Sequence, residues 1–115
     1  MNKVILLGRL TKDVELRYTQ NDKPVASFTI AVNRFFEKDK ADFINCVAWN
    51  KTAEFINKYF SKGKQLLIAG RLQVRDYEKD GKKVYITEVI TEEVYFADSK
   101  ETNDVIDYTD TDLPF

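Results

Sequence analysis

Residues 42–78 read "DFINCVAWNKTAEFINKYFSKGKQLLIAGRLQVRDYE", and the apolar period changes twice along them. In the opening stretch Phe43, Val47 and Trp49 share one parity, while Ile44, Cys46 and Ala48 share the other. Alternate residues of a strand point to opposite faces, so this is a strand with two unlike sides. The small aliphatic set suits a barrel interior, and the other set puts two large aromatics outside. The period then becomes helical at Ala53, Ile56, Tyr59 and Phe60, with Glu54 and Lys58 spaced to pair. Asn50 or Thr52 is expected to cap this helix, and Gly63 to stop it. From Lys64 the strand pattern returns, with Gly70 in its middle.

Outward from this segment the chain is strand. Upstream, "NKVILLGRLTKDVELRY" (2–18) reads as one long strand bent at Gly8, its later part alternating at Val14, Leu16 and Tyr18. "TQNDKP" (19–24) is a loop, "VASFTIAVNRF" (25–35) a second strand, and "EKDKAD" (37–42) the next turn. Downstream, Asp80-Gly81 marks a tight hairpin into a fifth strand, "KVYITEVITEEVYF" (83–96). Five strands with one helix after the third fit an all-β fold: an oligonucleotide/oligosaccharide-binding (OB) five-stranded Greek-key barrel. Gly8 and Gly70 serve such a barrel mechanically, because long strands must coil sharply to join both of its sheets. The likeness of "VILLGRL" (4–10) to "LLIAGRL" (66–72) is then two similarly bent strands rather than a duplication.

After residue 97 the periodicity stops. Residues 98–115 carry six acids against one base, whereas residues 1–97 carry 17 bases against 13 acids, although the whole chain sums to −1. The expected organisation is an OB domain over 1–97 and a disordered acidic tail over 98–115. A mildly basic body points toward a polyanion. The single cysteine, Cys46, lies in an apolar run and reads as a buried, inert thiol. Neither a secretory leader nor a long apolar span is recognised, so a cytoplasmic protein is expected.

Catalysis is not expected. The chain has no histidine, no phosphate-cradling glycine loop and no cluster of metal ligands, so no cofactor or metal is implied. The fifteen Phe, Tyr and Trp residues are the richer signal, several of them beside Lys and Arg. Phe35 and Phe36 are adjacent, so on a strand both cannot enter the core; Arg34 and Lys38 flank them. Tyr77 follows Arg75 and precedes a hairpin bearing Lys79, Lys82 and Lys83. Flat π faces stack unpaired bases, and cations meet their phosphates, as single-stranded nucleic acid requires. A protein-binding adaptor and an RNA-binding barrel are the alternatives on the same scaffold.

The stretches "NKVILLGRLTKDVELRYT", "VASFTIAVNR", "ADFINCVAWNKTAEFINKYFSKGKQLLIAGRLQVRDYE" and "TEV" resemble the bacterial single-stranded DNA-binding protein family. The similarity runs through residues 1–96, and the last six residues resemble that family's acidic tip. It implies an OB fold, a homotetramer and sequence-independent binding and protection of single-stranded DNA in replication, recombination and repair, in the cytoplasm with the nucleoid. Similar proteins also occur on phages and plasmids. By position, the resemblance puts stacking aromatics at Phe36, Phe43, Trp49 and Tyr77, and phosphate contacts at Lys3, Lys51, Lys62 and Arg75. The charge pattern adds Arg34, Lys82 and Lys83. Asp76 departs from the pattern, standing where a basic residue is expected.

The ending "DTDLPF" carries the last implication. In the family such a tip docks on enzymes of DNA metabolism, which implies that Asp110, Asp112, Leu113, Pro114 and Phe115 recruit partner proteins. A short apolar anchor with acidic neighbours suits a socket with a basic rim. Thr111 interrupts the acidic run here, and the short linker lacks a Gly/Gln-rich spacer.

Overall fold

The computed structural model describes residues 1–97. The expected tail, and with it Asp110, Asp112, Leu113, Pro114 and Phe115, lies outside the described residues. The elements are β1 (Val4–Leu10), β2 (Glu15–Tyr18), β3 (Pro24–Asn33), β4 (Ala41–Trp49), α1 (Asn50–Tyr59), β5 (Gln65–Lys79) and β6 (Lys82–Phe96). The strands hydrogen-bond in the order β1-β5-β6-β4-β3-β2, and a further β1–β3 pairing closes the sheet on itself. This is the OB architecture anticipated from the strand and helix order.

The alternation in β4 works as its sequence dictates. Cys46 and Ala48 are buried, while Phe43 and Trp49 are exposed. From the facing strands Ile30, Leu66, Ile68 and Val89 complete the interior, and Ala53 and Ile56 of α1 seal one end of it. Each fully buried aliphatic side chain contributes roughly 1.5–3 kcal/mol over its exposed state, which makes this interior the main source of stability.

Both glycine bends have a visible cause. Gly8 lies where β1 leaves β5 for β3, and a Cβ there would sit 2.7 Å from the Ala31 carbonyl oxygen. At Gly70 the β5–β6 register shifts in a bulge, so that Ala69 faces Glu93 and Gly70 faces Thr91. The extra residue is Glu92, so the bulge lies on β6 and bends that long strand where Gly70 lets β5 pass close to it. Asp80 and Gly81 both take positive φ, 55° and 78°, the mirror-image turn that matches the twist of two paired strands.

Three local expectations are corrected. The segment 2–18 is two strands, because Thr11 leaves the ladder to bond the Thr29 carbonyl through both its amide (3.0 Å) and its hydroxyl (3.2 Å). Neither Asn50 nor Thr52 caps α1: Trp49 holds the N-cap position, with no side-chain cap bond, and Asn50 takes φ 56°. Phe35 and Phe36 are not on a strand at all, since β3 ends at Asn33. Both project from the β3–β4 connection, edge to face with centroids 4.8 Å apart.

Candidate nucleic-acid interface

Strand register assembles one outward face from five strands. Paired residues of a ladder share a side, so Arg17, Val25 and Trp49 form one row across β2, β3 and β4. Glu15, Ser27 and Val47 form the next row, followed by Thr29 with Asn45 and then Ala31 with Phe43. The parallel β4–β6 pairing sets Val47 beside Ile90, and the β5–β6 hairpin brings Gln73, Arg75 and Tyr77 to the side of Glu88, Ile86 and Val84. The β5–β6 arm and the β2–β3–β4 wall thus border a trough. It holds one cavity of about 260 Å³ reached by Arg17, Trp49 and Gln73. A second, of about 240 Å³, is reached by Lys12, Asn45 and Ile86.

The four expected stacking aromatics are all open to solvent: Phe36 is 91 % exposed, Phe43 69 %, Tyr77 43 % and Trp49 42 %. Trp49 lines the larger cavity, and Phe43 stands on the same face of β4. Tyr77 shares the arm's trough-facing side with Arg75. Phe36 stands apart, on the loop that joins β3 to β4.

The expected cations divide more sharply. Arg75 enters the trough and lines both cavities. Its Nε donates to Glu88 Oε1 at 2.8 Å, and the Glu88 side chain is only 8 % exposed. Arg34 is consumed by carboxylates: Nε and Nη2 donate to Asp42 Oδ1 at 3.1 and 2.9 Å, and Nη1 to Glu37 Oε1 at 2.6 Å. Those bonds, to Asp42 first, raise the guanidinium pKa further above its usual value. Across the Asp80-Gly81 turn Lys79 pairs with Lys82 on Tyr77's side, whereas Lys83 pairs with Glu78 on the other. Lys83 Nζ also reaches Asp76 Oδ2 at 3.7 Å, so the departure noted at Asp76 binds a lysine of its own chain.

Lys51 is in the first turn of α1, close in sequence to Trp49. Lys62 lies beyond the far end of that helix, where its amide bonds Asp13 Oδ1 at 2.8 Å. Lys3 leads into β1 beside Asn2, whose side-chain amide bonds both backbone groups of Leu72. These two are not brought to the trough.

Sequence reasoning passed over Lys12, Arg17, Ser27, Asn45, Gln73 and Glu88, all of which line the trough. Two of them carried a signal. Asn45 is a polar residue on the aromatic parity of β4, and Glu88 interrupts the apolar run "YITEVI" (85–90).

The sequence model of the single-strand binding protein family matches residues 1–97. A single-stranded DNA-binding protein of Bacillus cereus is 54% identical over 105 residues, covering 87% of this chain and 62% of its own length. Its counterpart in Bacillus anthracis is likewise 54% identical, with 87% and 61% covered. The corresponding protein of Staphylococcus aureus strain N315 is 51% identical over 109 residues, 90% of this chain and 70% of the relative. The chain spans about three fifths of the length of the two Bacillus relatives. With the OB barrel described and the match running across it from end to end, this chain belongs to the single-strand binding protein family.

Proposed function

We propose that the chain binds and protects single-stranded DNA without sequence preference, in replication, recombination and repair. The observation that carries the reading is the shared cavity of Trp49 and Arg75: one aromatic face and one cation border a single space in a solvent-open trough. A base stacked on Trp49 would leave its phosphate within reach of the arm. Stacking at Trp49, Phe43, Tyr77 and Phe36 accounts for tolerance of any base, because every base has a π face. Arg75 and Lys82, on the arm's trough-facing side, supply the phosphate contacts best supported by position, whereas Lys51 lines a separate cavity with Phe55 and Tyr95. Lys3, Lys62, Lys83 and Arg34 would serve only a strand that wraps beyond the trough. This is binding chemistry rather than catalysis, and the names of the relatives support it.

The proposed division is a DNA-binding domain over 1–97 and a tail over 98–115 that recruits proteins of DNA metabolism. The tail's role rests on the sequence "DTDLPF" alone; deleting residues 113–115 is expected to spare DNA binding and abolish partner capture. We also propose a homotetramer in the cytoplasm, associated with the nucleoid. Ile5 and Leu7 on β1, and Leu72, Val74 and Tyr85 on the arm's far side, are exposed apolar residues that support self-association. Among the described residues no helix is long and apolar enough to cross a membrane.

Fluorescence of the single tryptophan tests the reading. Titration with oligo-dT is expected to quench Trp49 strongly, less so at high salt, while duplex of equal length leaves it unchanged. No response to either, together with no change in anisotropy of a labelled strand, would make the barrel a protein-binding adaptor.

A further inference from the structure

The two trough cavities meet at a waist, with Ser27 and Val47 on the wall side and Arg75 and Glu88 on the arm side. Arg75 and Glu88 are not directly opposite in the ladder. Arg75 faces Ile86, so Glu88 reaches the guanidinium diagonally, two residues further along β6. The bond uses Nε alone. Among the described residues no partner takes Nη1 or Nη2, so the outer edge of the guanidinium keeps the two parallel donors that suit a phosphate. Arg34 provides the contrast within one molecule, since its three nitrogens are all taken.

Burial makes Glu88 a firm anchor. Its side chain is packed beneath the trough floor, whereas that of Arg75 is half exposed. Enclosing a carboxylate is costly without a cation and hydrogen bonds, which ties Arg75 to this spot. The cavities on either side, about 240 and 260 Å³, are below the size that drug-sized ligands fill, and each suits a single ring system. They also differ in lining. Trp49, Val25 and Ile90 make one apolar, whereas Thr29 and Asn45 bring a hydroxyl and an amide to the other.

We propose that Glu88 is a positioning residue that holds Arg75 across the trough as a phosphate clasp, with two neighbouring nucleotides seated on either side of it. One base stacks on Trp49 in the larger cavity, and its neighbour enters the Asn45 cavity. Arg75 Nη1 and Nη2 take the phosphodiester between them. This deepens the proposed function and rests on it.

The test is the salt dependence of full-chain binding to fluorescently labelled oligo-dT, for the parent and for Glu88→Leu, Glu88→Gln, Arg75→Gln and the double variant Glu88→Leu/Arg75→Gln. Losing one single-strand phosphate contact lowers the magnitude of the log–log salt slope by about 0.7. Glu88→Leu is expected to lose that increment and bind roughly tenfold more weakly at low salt, although the trough has lost a negative charge. Arg75→Gln should lose the same increment, and the double variant no more than Arg75→Gln alone. Glu88→Gln keeps an acceptor for Nε and should keep the slope.

Equal or tighter binding by Glu88→Leu, with the parent's slope, would mean that Glu88 merely repels DNA, and would overturn the clasp. Circular dichroism checks that each variant is folded. Were Glu88→Leu to unfold, an unchanged slope in Arg75→Gln would overturn the proposal by itself. A parent chain that binds no oligo-dT at any salt would remove the single-strand reading and the clasp together; a binding parent with indifferent variants removes the clasp alone.

Discussion

Gly70 and Ile90 approach so closely across the β5–β6 ladder that a Cβ on Gly70 would lie 1.9 Å from the Ile90 carbonyl oxygen. The obstacle is backbone, which cannot rotate away. Gly70→Ala should therefore force the bulge apart and destabilise the fold by roughly 3 kcal/mol or more. Gly8→Ala, meeting Ala31 at 2.7 Å, should cost less. Urea unfolding at one fixed protein concentration gives the ranking, and equal stability of the two variants would refute it.

Trp49 carries the next expectation. Trp49→Ala should weaken oligo-dT binding by one stacked base, about 1–3 kcal/mol, while Trp49→Phe keeps most of it. Phe36→Ala, on an exposed loop, should leave the unfolding midpoint unchanged whatever it does to binding. Fluorescence anisotropy of a labelled strand, beside thermal melts, separates the two quantities.

Arg34 and Arg75 should behave unlike one another. With every guanidinium nitrogen of Arg34 bonded to Asp42 or Glu37, Arg34→Gln is expected to change DNA affinity by less than about twofold and to leave the salt slope alone. A slope change as large as that of Arg75→Gln would show that Arg34 exchanges its carboxylates for phosphate.

The Cys46 thiol is pushed up to about 12, by burial first and by the negative charge of Glu88 second, from an ordinary 9.0. The unfolded chain therefore loses this proton before the folded one does. Its contribution falls as pH rises from 9.0 toward 12, by up to ~1.4 kcal/mol per pH unit. Other groups titrate in that window, so the measure is the difference in slope between the parent and Cys46→Ala. At pH 8 a thiol reagent should label Cys46 only after denaturation; rapid labelling of the native protein would contradict its burial.

Much of this is legible in the sequence alone, for reasons particular residues make plain. The parity of "FINCVAW" (43–49) put Trp49 and Phe43 outside and Cys46 inside, because a strand has only two faces. Asp80-Gly81 named its own turn, since few residue pairs accept positive φ twice. What escaped depends on partners distant in the chain. The break after Leu10 is made by Thr29, and the loop after Asn33 is tied by Arg34 to Asp42. Lys83 could have been assigned to the far side, since a two-residue turn fixes the pairing of Lys79 with Lys82. Glu88 showed only as an acid in an apolar run; its burial and its bond to Arg75 depend on the fold around it, including the parallel β4–β6 contact at its neighbours Val89 and Ile90, which no local pattern announces.

That parallel contact is short, joining Cys46, Val47 and Ala48 to Val89, Ile90 and Thr91. It also comes late in synthesis, because residues 89–91 belong to the last strand. A growing chain can zip β2, β3 and β4 and wind α1 as they emerge, yet the trough has no second wall until β6 arrives. Residues 89–91 must clear the ribosome before Cys46 and Ala48 are covered on that side. Nearly the whole domain is therefore translated with its core open, and a chaperone that shields the Phe28–Ile30 and Cys46–Ala48 surfaces would have its longest opportunity here.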